Sequence, residues 1–324
     1  MVIIYVDSSL FYNEECKENM KKKIVDFVRE FTGIKAIKNQ ISSLRRDLLF
    51  ENRKNQMIEH ILHDSESGIT SEKYADHDII VSLTSYGKRI YDVAYTIESI
   101  MQQSMKANKV ILWLDDSYKG KMLPQSLVKQ QKRGLEIAFC TDLGPYKKLV
   151  PSLCRFPNDA IITVDDDAIY DYDLLERLII PYLEDPSYIY CHRCHRMQFS
   201  EDGSILPYMQ WMQNFNSNTP SHFNFATGVG GVLYPPRSLD EEVNNEKVFM
   251  DICKYNDDIW FKAMAIKKGT KVKKVFTRNP SCKEYVLNDK VQDIGLFNIN
   301  TKGDMLNDKQ IHDVFLAYKI AITE

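Results

Sequence analysis

The chain has 324 residues, of which 44% are hydrophobic and 11% aromatic. This is enough for one large α/β domain with an accessory region, or for two modest domains, and it argues against global disorder. The formal net charge of −3 is not that of a polycation built for nucleic acid, so we expect no nucleic-acid partner. Seven cysteines without regular paired spacing indicate a reducing compartment. Because neither a secretory signal nor an apolar run of 18 residues is present, we expect a cytoplasmic protein, soluble or peripheral at the inner membrane face.

Residues 1–76 are predicted to form a helical extension that ends in a polar linker, 63–78. From Lys17 to Lys54, eleven Lys and Arg oppose five Asp and Glu, a net charge of +6. Apolar residues recur there at helical spacing, and Gly33 predicts a break between two helices. Two interpretations of segment 17–54 stay open. It packs on the rest of the chain or on a second subunit, giving a homo-oligomer, or it lies on an anionic membrane.

Beyond residue 77, apolar runs alternate with segments of helical period. They predict strands at 78–86, 109–117, 135–142 and 160–166, with helices at 91–104, 126–134 and 146–156. Such βαβ units predict an α/β fold with a mainly parallel sheet flanked by helices. Ligands of these sheets bind at the carboxyl ends of the strands, where three of the four predicted strands end in Asp.

The stretch "AIITVDDDAIYDYD" (160–173) places Asp165, Asp166 and Asp167 at the carboxyl end of the fourth predicted strand. Repulsion among adjacent carboxylates falls when a divalent cation binds between them. Mg²⁺ and Mn²⁺ commonly combine one or two carboxylates with the phosphates of a substrate. The triplet therefore predicts a Mg²⁺ or Mn²⁺ site with a phosphate ligand, and a solvated acidic turn is the alternative.

A second acidic pair, Asp257 and Asp258, begins the segment "DDIWFKAMAIKKG". Asn256 or Asp257 is predicted to cap a helix there, which places Asp258 in its first turn. A functional carboxylate is one interpretation, and the ordinary preference of acidic residues for helix N-termini is the other.

The segment "NFATGVGGVLYPP" contains three glycines, Gly228, Gly230 and Gly231. It is not a dinucleotide-binding fingerprint, because prolines follow where that motif requires a helix. The glycines predict a close approach of backbone to ligand, or else a structural turn.

The segment "YIYCHRCHRMQF" suggests zinc through Cys191, His192, Cys194 and His195. Structural zinc sites usually have two separated pairs of ligands, and the alternation of residue types here suits a strand equally well.

Five motifs in order, "SLTSYGKR", "GPYKKLVPSL", "TVDDDAIY", "TGVGGVLYPP" and "NDDIWFKAM", cover roughly residues 78–290. Together they resemble the nucleotide-sugar-dependent glycosyltransferases of the GT-A fold, of the family 2 type found in bacterial surface-polysaccharide synthesis. The resemblance implies a Rossmann-like GT-A domain at 77–290. We expect residues 291–324 to form a helical tail packed on this domain.

The resemblance also implies roles for individual residues. The nucleotide would be bound by Thr84, Ser85, Tyr86, Arg89, Asp115, Asp116, Lys148 (or its neighbour Lys147), Asp165 and Asp166. The Mn²⁺ or Mg²⁺ would be held by Asp165, Asp167 and, as a C-terminal ligand, His312. The general base would be Asp258, with Asp257 beside it. The donor and acceptor pocket would include Gly230, Gly231, Trp211 and Trp260, the tryptophans as stacking surfaces.

The function implied is transfer of a sugar, with inversion, from a nucleoside diphosphate donor (a UDP-sugar is favoured) to a glycan or lipid-linked acceptor. One alternative is a metal-dependent sugar nucleotidyltransferase. It would be expected to carry a Gly-rich, basic loop after the first strand, where "LTSYGKR" has one glycine. The other alternative is a non-catalytic nucleotide- or glycan-binding scaffold that interacts through the basic helices.

Overall fold

The computed structural model describes residues 14–31, 33–279, 283–295, 300 and 306–320. The α-helices of this part of the chain are α1 Glu14–Phe31, α2 Ile34–His63, α3 Val93–Met101, α4 Gln125–Gln131, α5 Val150–Arg155, α6 Leu174–Glu184, α7 Glu246–Ile252, α8 Asp257–Lys268 and α9 Leu306–Ala317. The strands are β1 Ile79–Thr84, β2 Lys109–Asp115, β3 Leu135–Cys140, β4 Ala160–Thr163, β5 Ala168–Tyr170, β6 Ile189–Cys191, β7 Cys194–Arg196, β8 Asn224–Ala226, β9 Val232–Tyr234, β10 Val272–Lys274 and β11 Tyr285–Leu287.

Seven strands form a mixed, mainly parallel sheet in the order β10-β6-β9-β4-β1-β2-β3. The strands β3, β2, β1 and β4 are parallel neighbours, and β6 pairs in parallel with β10. Only β9, between β4 and β6, runs antiparallel to the sheet strands described here. The predicted α/β fold with a mainly parallel sheet is confirmed.

The central strands are buried on both faces, which explains their nearly continuous apolar sequences. On β1, Ile79, Val81 and Leu83 enter one core, and Ile80 enters the other. The carboxyl ends of β1 and β4 are adjacent, because Ser82 pairs with Thr163. This register brings the segment that follows Thr84 next to the aspartate triplet that follows β4.

The chain divides into two units, Met1–Leu49 and Phe50–Glu324. Gly33 lies between α1 and α2 with a φ of +70°, so the predicted break is present. Helix α2 continues across position 49, and its residues Phe50 and Met57 pack with Ile169 in the larger unit. The unit boundary therefore precedes the one suggested by the polar segment 63–78, because the second half of α2 buries Phe50, Met57 and Ile61.

Residues 63–78 are not a free linker. The Gly68 amide donates to the Arg133 carbonyl at 2.8 Å, and Arg133 Nε donates to the Glu66 carbonyl at 2.9 Å. These hydrogen bonds attach the segment to the larger unit.

In the smaller unit, the apolar stripe on α1 and α2 is exposed. Its described members include Ile24, Ile37, Ile41, Leu44 and Leu48. Residues 1–13 of the predicted extension lie outside the described residues. Among the helices that the structure describes, none has the length and apolar character to cross a membrane.

The described part of the C-terminal segment contains helix α9, which packs against α7 and α8 of the larger unit. Ile311 and Val314 are buried there. The remainder of the predicted tail, 296–299, 301–305 and 321–324, lies outside the described residues.

Candidate active site

The aspartate triplet occupies the loop between β4 and β5. Its middle member, Asp166, is buried and faces inward. Arg89 Nη1 donates to Asp166 Oδ1 at 2.8 Å, and Ser85 Oγ donates to Asp166 Oδ2 at 2.6 Å. Burial raises the pKa of Asp166 to about 6, although Arg89 opposes the increase. Both carboxylate oxygens of Asp166 therefore accept hydrogen bonds from residues that follow β1, which links the loops after β1 and β4.

Asp167 is held by groups from two distant segments. Arg89 Nη1 lies 3.0 Å from Asp167 Oδ2, and Gln292 Nε2 donates to the same oxygen at 2.8 Å. The Asn288 amide donates to the Asp167 carbonyl at 2.8 Å. The 3₁₀ turn Asp289–Ile294 thereby forms one wall of the site.

Asp165 meets Lys148, from the 3₁₀ turn Gly144–Lys148 that precedes α5. Lys148 Nζ lies 2.9 Å from Asp165 Oδ1 and 2.9 Å from Asp257 Oδ2. Burial alone would lower the pKa of Lys148, but these carboxylates raise it well above its ordinary value. Lys148 is therefore a charged bridge between the triplet and the N-terminus of α8.

Asp258 lies in the first turn of α8, directly after Asp257. Asn256 caps this helix, because its side chain accepts the Ile259 amide at 3.2 Å. The Gly228 amide lies 3.1 Å from both carboxylate oxygens of Asp258. Burial, and then the charge of Asp257, raises the pKa of Asp258 to about 7. A carboxylate poised near neutrality suits a general base.

Gly228 marks the point where these groups converge. A Cβ atom there would lie 2.5 Å from Lys148 Nζ, 3.1 Å from Asp258 Oδ1 and 3.4 Å from Asp165 Oδ1. A side chain at this position would displace the Lys148 ammonium, so glycine leaves room for the ion pairs of Lys148 with Asp165 and Asp257. The "TGVGG" segment, the triplet and the acidic pair of α8 therefore form one cluster.

Asp165 and Asp167 are the residues of this cluster that could hold a divalent cation. Each carboxylate has one oxygen, Asp165 Oδ2 and Asp167 Oδ1, that accepts no hydrogen bond from another described residue. Within the described residues, no group of three or more His, Cys, Asp or Glu side chains forms a complete metal site. Two carboxylates completed by phosphate oxygens are the usual arrangement for Mg²⁺.

The remaining residues predicted to bind nucleotide lie at the ends of β1 and β2. Thr84 Oγ1 donates to the Trp113 carbonyl at 2.8 Å, which ties the two strand ends together. The Tyr86 ring is partly exposed beside the Arg89 guanidinium, 5.6 Å from its Cζ. Asp115 accepts the Ser117 amide at 2.9 Å, whereas the exposed Asp116 pairs with Lys119.

The two tryptophans are not available as stacking surfaces, which corrects that expectation. Trp211 and Trp260 are buried in the core. Their indole N–H groups donate to the Leu206 carbonyl at 2.7 Å and to the Val243 carbonyl at 3.1 Å. A sugar ring cannot reach either face, because aromatic neighbours cover both indoles.

The predicted third metal ligand, His312, is not part of the cluster. It is exposed on α9, with its Nδ1 3.3 Å from Asp313 Oδ1. A helical surface position explains this placement. The structure therefore gives no support to His312 as a ligand.

The cysteines and histidines of "CHRCHR" do not form a zinc site. Cys191 and Cys194 lie on β6 and β7, as the strand alternative predicts. His192 Nε2 bonds to the Leu174 carbonyl, and His195 Nδ1 accepts the Asn214 amide. The imidazoles therefore serve separate backbone groups.

Of the predicted pocket glycines, Gly231 has a φ of +84° and lies near Leu174, so its role is conformational. Gly230 lies against Arg193, whose Cβ would be 2.7 Å from a Cβ at position 230. The sequence arguments passed over Arg193 and Gln292. Arg193 lies in the segment "CHRCHR", where only the cysteines and histidines were considered, and Gln292 belongs to none of the quoted motifs.

No family model matches the chain, and no curated protein matches it significantly. Solved structures do match. The inositol-1-phosphate CTP transferase of T. maritima is 11% identical with a TM-score of 0.39, covering 70% of this chain and 98% of its own. HddC of Yersinia pseudotuberculosis is 14% identical with a TM-score of 0.35, covering 62% and 92%. A CMP:2-keto-3-deoxy-manno-octonic acid synthetase with CTP is 12% identical with a TM-score of 0.36, covering 60% and 88%.

Proposed function

We propose that the protein is a glycosyltransferase that moves a sugar from a nucleoside diphosphate donor, with UDP-sugars favoured, to an acceptor hydroxyl. The observation that carries the proposal is the convergence at Gly228. Asp165, Lys148 and Asp258 meet there from three distant parts of the chain. The cluster therefore combines a cation suited to bind phosphate (Lys148), a candidate metal ligand (Asp165) and a candidate general base whose pKa is raised to about 7 (Asp258).

In this proposal the donor diphosphate lies against Lys148 and Arg89, next to Asp165 and Asp167. Mg²⁺ or Mn²⁺ held by the two aspartates would supply Lewis-acid stabilisation of the leaving diphosphate. Lys148 contributes a fixed positive charge at the same place, because its pKa stays well above its ordinary value.

Asp258 is the general base of the proposed reaction. The acceptor oxygen forms a bond to the anomeric carbon as the bond from that carbon to the diphosphate breaks, and Asp258 takes the acceptor's proton. Asp258 is preferred to Asp257, because Lys148 Nζ lies 2.9 Å from Asp257. The Gly228 amide instead orients Asp258.

Sugar nucleotidyl transfer is the second candidate. The observation in its favour is the pair of cations, Arg89 and Lys148, among three carboxylates, since this pair suits a triphosphate as well as a diphosphate. The attacking group in that reaction is a sugar phosphate, which is already ionised at neutral pH. It needs no general base, so the poised carboxylate of Asp258 favours transfer to a hydroxyl.

Two assays on the purified chain separate the candidates. Glycosyl transfer predicts slow hydrolysis of one nucleotide-sugar to free nucleoside diphosphate and sugar, lost in Asp258→Asn. Nucleotidyl transfer predicts pyrophosphate release from a nucleoside triphosphate with a sugar 1-phosphate. Pyrophosphate release without nucleotide-sugar hydrolysis would overturn our proposal. Neither activity, in folded protein, would favour a binding scaffold.

A further inference from the structure

Arg193, between β6 and β7, has a half-buried side chain without a carboxylate partner among the residues that the structure describes. Its Nε donates to Asn214 Oδ1 at 2.8 Å, and its Nη1 donates to Thr227 Oγ1 at 3.0 Å. Both acceptors are neutral. By contrast, Arg89 and Lys148 are each paired with two carboxylates.

The position of Arg193 is fixed relative to Asp258. The Thr227 amide donates to the Arg193 carbonyl at 3.1 Å, and the next amide, of Gly228, holds Asp258. Arg193 Nη1 bonds to the hydroxyl of Thr227, the residue that precedes Gly228, so the guanidinium lies beside the segment that orients Asp258.

A guanidinium that is partly removed from water without an anion bears a desolvation cost that no charge pair offsets. Asn214 and Thr227 fix its plane but supply no charge. Its Nη2 group donates to no described residue. An oriented guanidinium with donors to spare matches the geometry of a carboxylate or phosphate.

We propose that Arg193 is an oxyanion-binding residue of the acceptor subsite, and that the acceptor carries a carboxylate or a phosphate near its reacting hydroxyl. The inference rests on the proposed function, because it takes Asp258 as the base. A group beside the base faces the acceptor, whereas the donor diphosphate has its own cations in Arg89 and Lys148.

The test is a set of ligand-observed NMR titrations of the full chain, with glucose, glucuronate and glucose 6-phosphate as probes. We expect one or both anionic probes to bind at least ~10-fold more tightly than glucose, because a charge-assisted hydrogen bond contributes about 1.5–3 kcal/mol. The uronate and phosphate arms identify the oxyanion. Arg193→Met should abolish the preference, and Arg193→Lys should keep part of it.

Arg237→Met is the matched control. Arg237 also donates to an asparagine oxygen, that of Asn158 at 2.9 Å, but it is exposed. This variant should retain the full preference for the anionic probe. Thermal unfolding of each variant checks that the protein is folded.

Equal binding of all three probes to the wild-type chain would overturn the inference, as would a preference that survives in Arg193→Met. The inference would also be overturned if Arg193→Met lost as much affinity for UDP as for the anionic probe, because Arg193 would then belong to the donor site. If no nucleotide binds the wild-type chain but the preference depends on Arg193, the anion site stands and the proposed function fails.

Discussion

Replacing Lys148 by methionine removes the one cation that lies between Asp165 and Asp257 among the described residues. Both ion pairs are 2.9 Å long, and Lys148 and Asp257 are each only 6% exposed. Methionine preserves most of the volume but leaves the buried Asp257 carboxylate without its counter-charge. Removing one partner of a buried pair typically costs about 3–5 kcal/mol. We expect a loss of that size in the free energy of unfolding of Lys148→Met near neutral pH.

The loss should depend on pH in a defined direction. Burial raises the pKa of Asp257, and the charge of Lys148 lowers it. Removing Lys148 should therefore raise this pKa further. A carboxyl whose folded pKa exceeds its unfolded value binds its proton more tightly in the folded state. Its contribution to stability is present at low pH and is lost as the pH rises through the folded pKa. Lys148→Met should therefore be more destabilised at pH 8 than at pH 5.

Urea unfolding of the metal-free chain at both pH values measures this effect. Lys309→Met is the control, because Lys309 pairs with Asp313 on the surface of α9 and its side chain is 67% exposed. A surface ion pair of this kind contributes about 0–1 kcal/mol. The reasoning is refuted if Lys148→Met is no more destabilised than Lys309→Met, or if its loss is the same at both pH values.

Three further predictions concern the base, the glycine and the core. The pKa of Asp258 is raised to about 7, and the base acts when ionised, so kcat/KM should rise with pH through about 7. Asp258→Asn should cost about 10²–10⁴-fold, and a pH–rate profile without this inflection would exclude Asp258 as the base. Gly228→Ala should displace Lys148, lower the free energy of unfolding in urea by about 1–3 kcal/mol and weaken nucleotide binding. If neither quantity changed, Lys148, Asp165 and Asp258 would not converge at Gly228 as described. Ile61→Ala should lower the free energy of unfolding in urea by about 2–5 kcal/mol, whereas Ile41→Ala should lower it by less than about 0.5 kcal/mol. The reason is that Ile61 is 6% exposed and Ile41 is 60% exposed. Equal effects of the two substitutions would refute this assignment of burial.

The sequence was informative wherever the signal is local. Apolar runs of four to seven residues predicted the central strands, and the positions of strand ends followed from them. Asn256 and the left-handed Gly269 bound α8 as capping rules require, so Asp258 could be placed in the first helical turn.

Partners that are distant in the chain could not be predicted. Lys148 and Asp257 are 109 positions apart by the residue numbering, and nothing local joins Gln292 to Asp167. The tryptophans were misjudged because a large aromatic side chain near a pocket motif is equally suited to a core. Only the fold shows that Trp211 and Trp260 are covered.

The aspartate triplet shows what the sequence could predict and what it could not. The sequence indicated a cation among the three carboxylates. The structure shows that Arg89 and Lys148 already provide two positive charges, so a metal would add to protein cations that are in place. Residue types predicted the chemistry of the site, but its charge balance depended on long-range contacts.

The central claim is that the cluster at Gly228 binds a nucleoside diphosphate. Calorimetric titration of the purified chain with UDP, GDP, CMP and their sugars, with Mn²⁺ or with EDTA, tests it most directly. The account predicts that one nucleoside diphosphate binds, more tightly with Mn²⁺, and that Asp167→Ala loses the metal-dependent part. No binding of any nucleotide by folded wild-type protein would contradict the account, and metal-dependent binding that persists in Asp167→Ala would contradict the role given to the triplet.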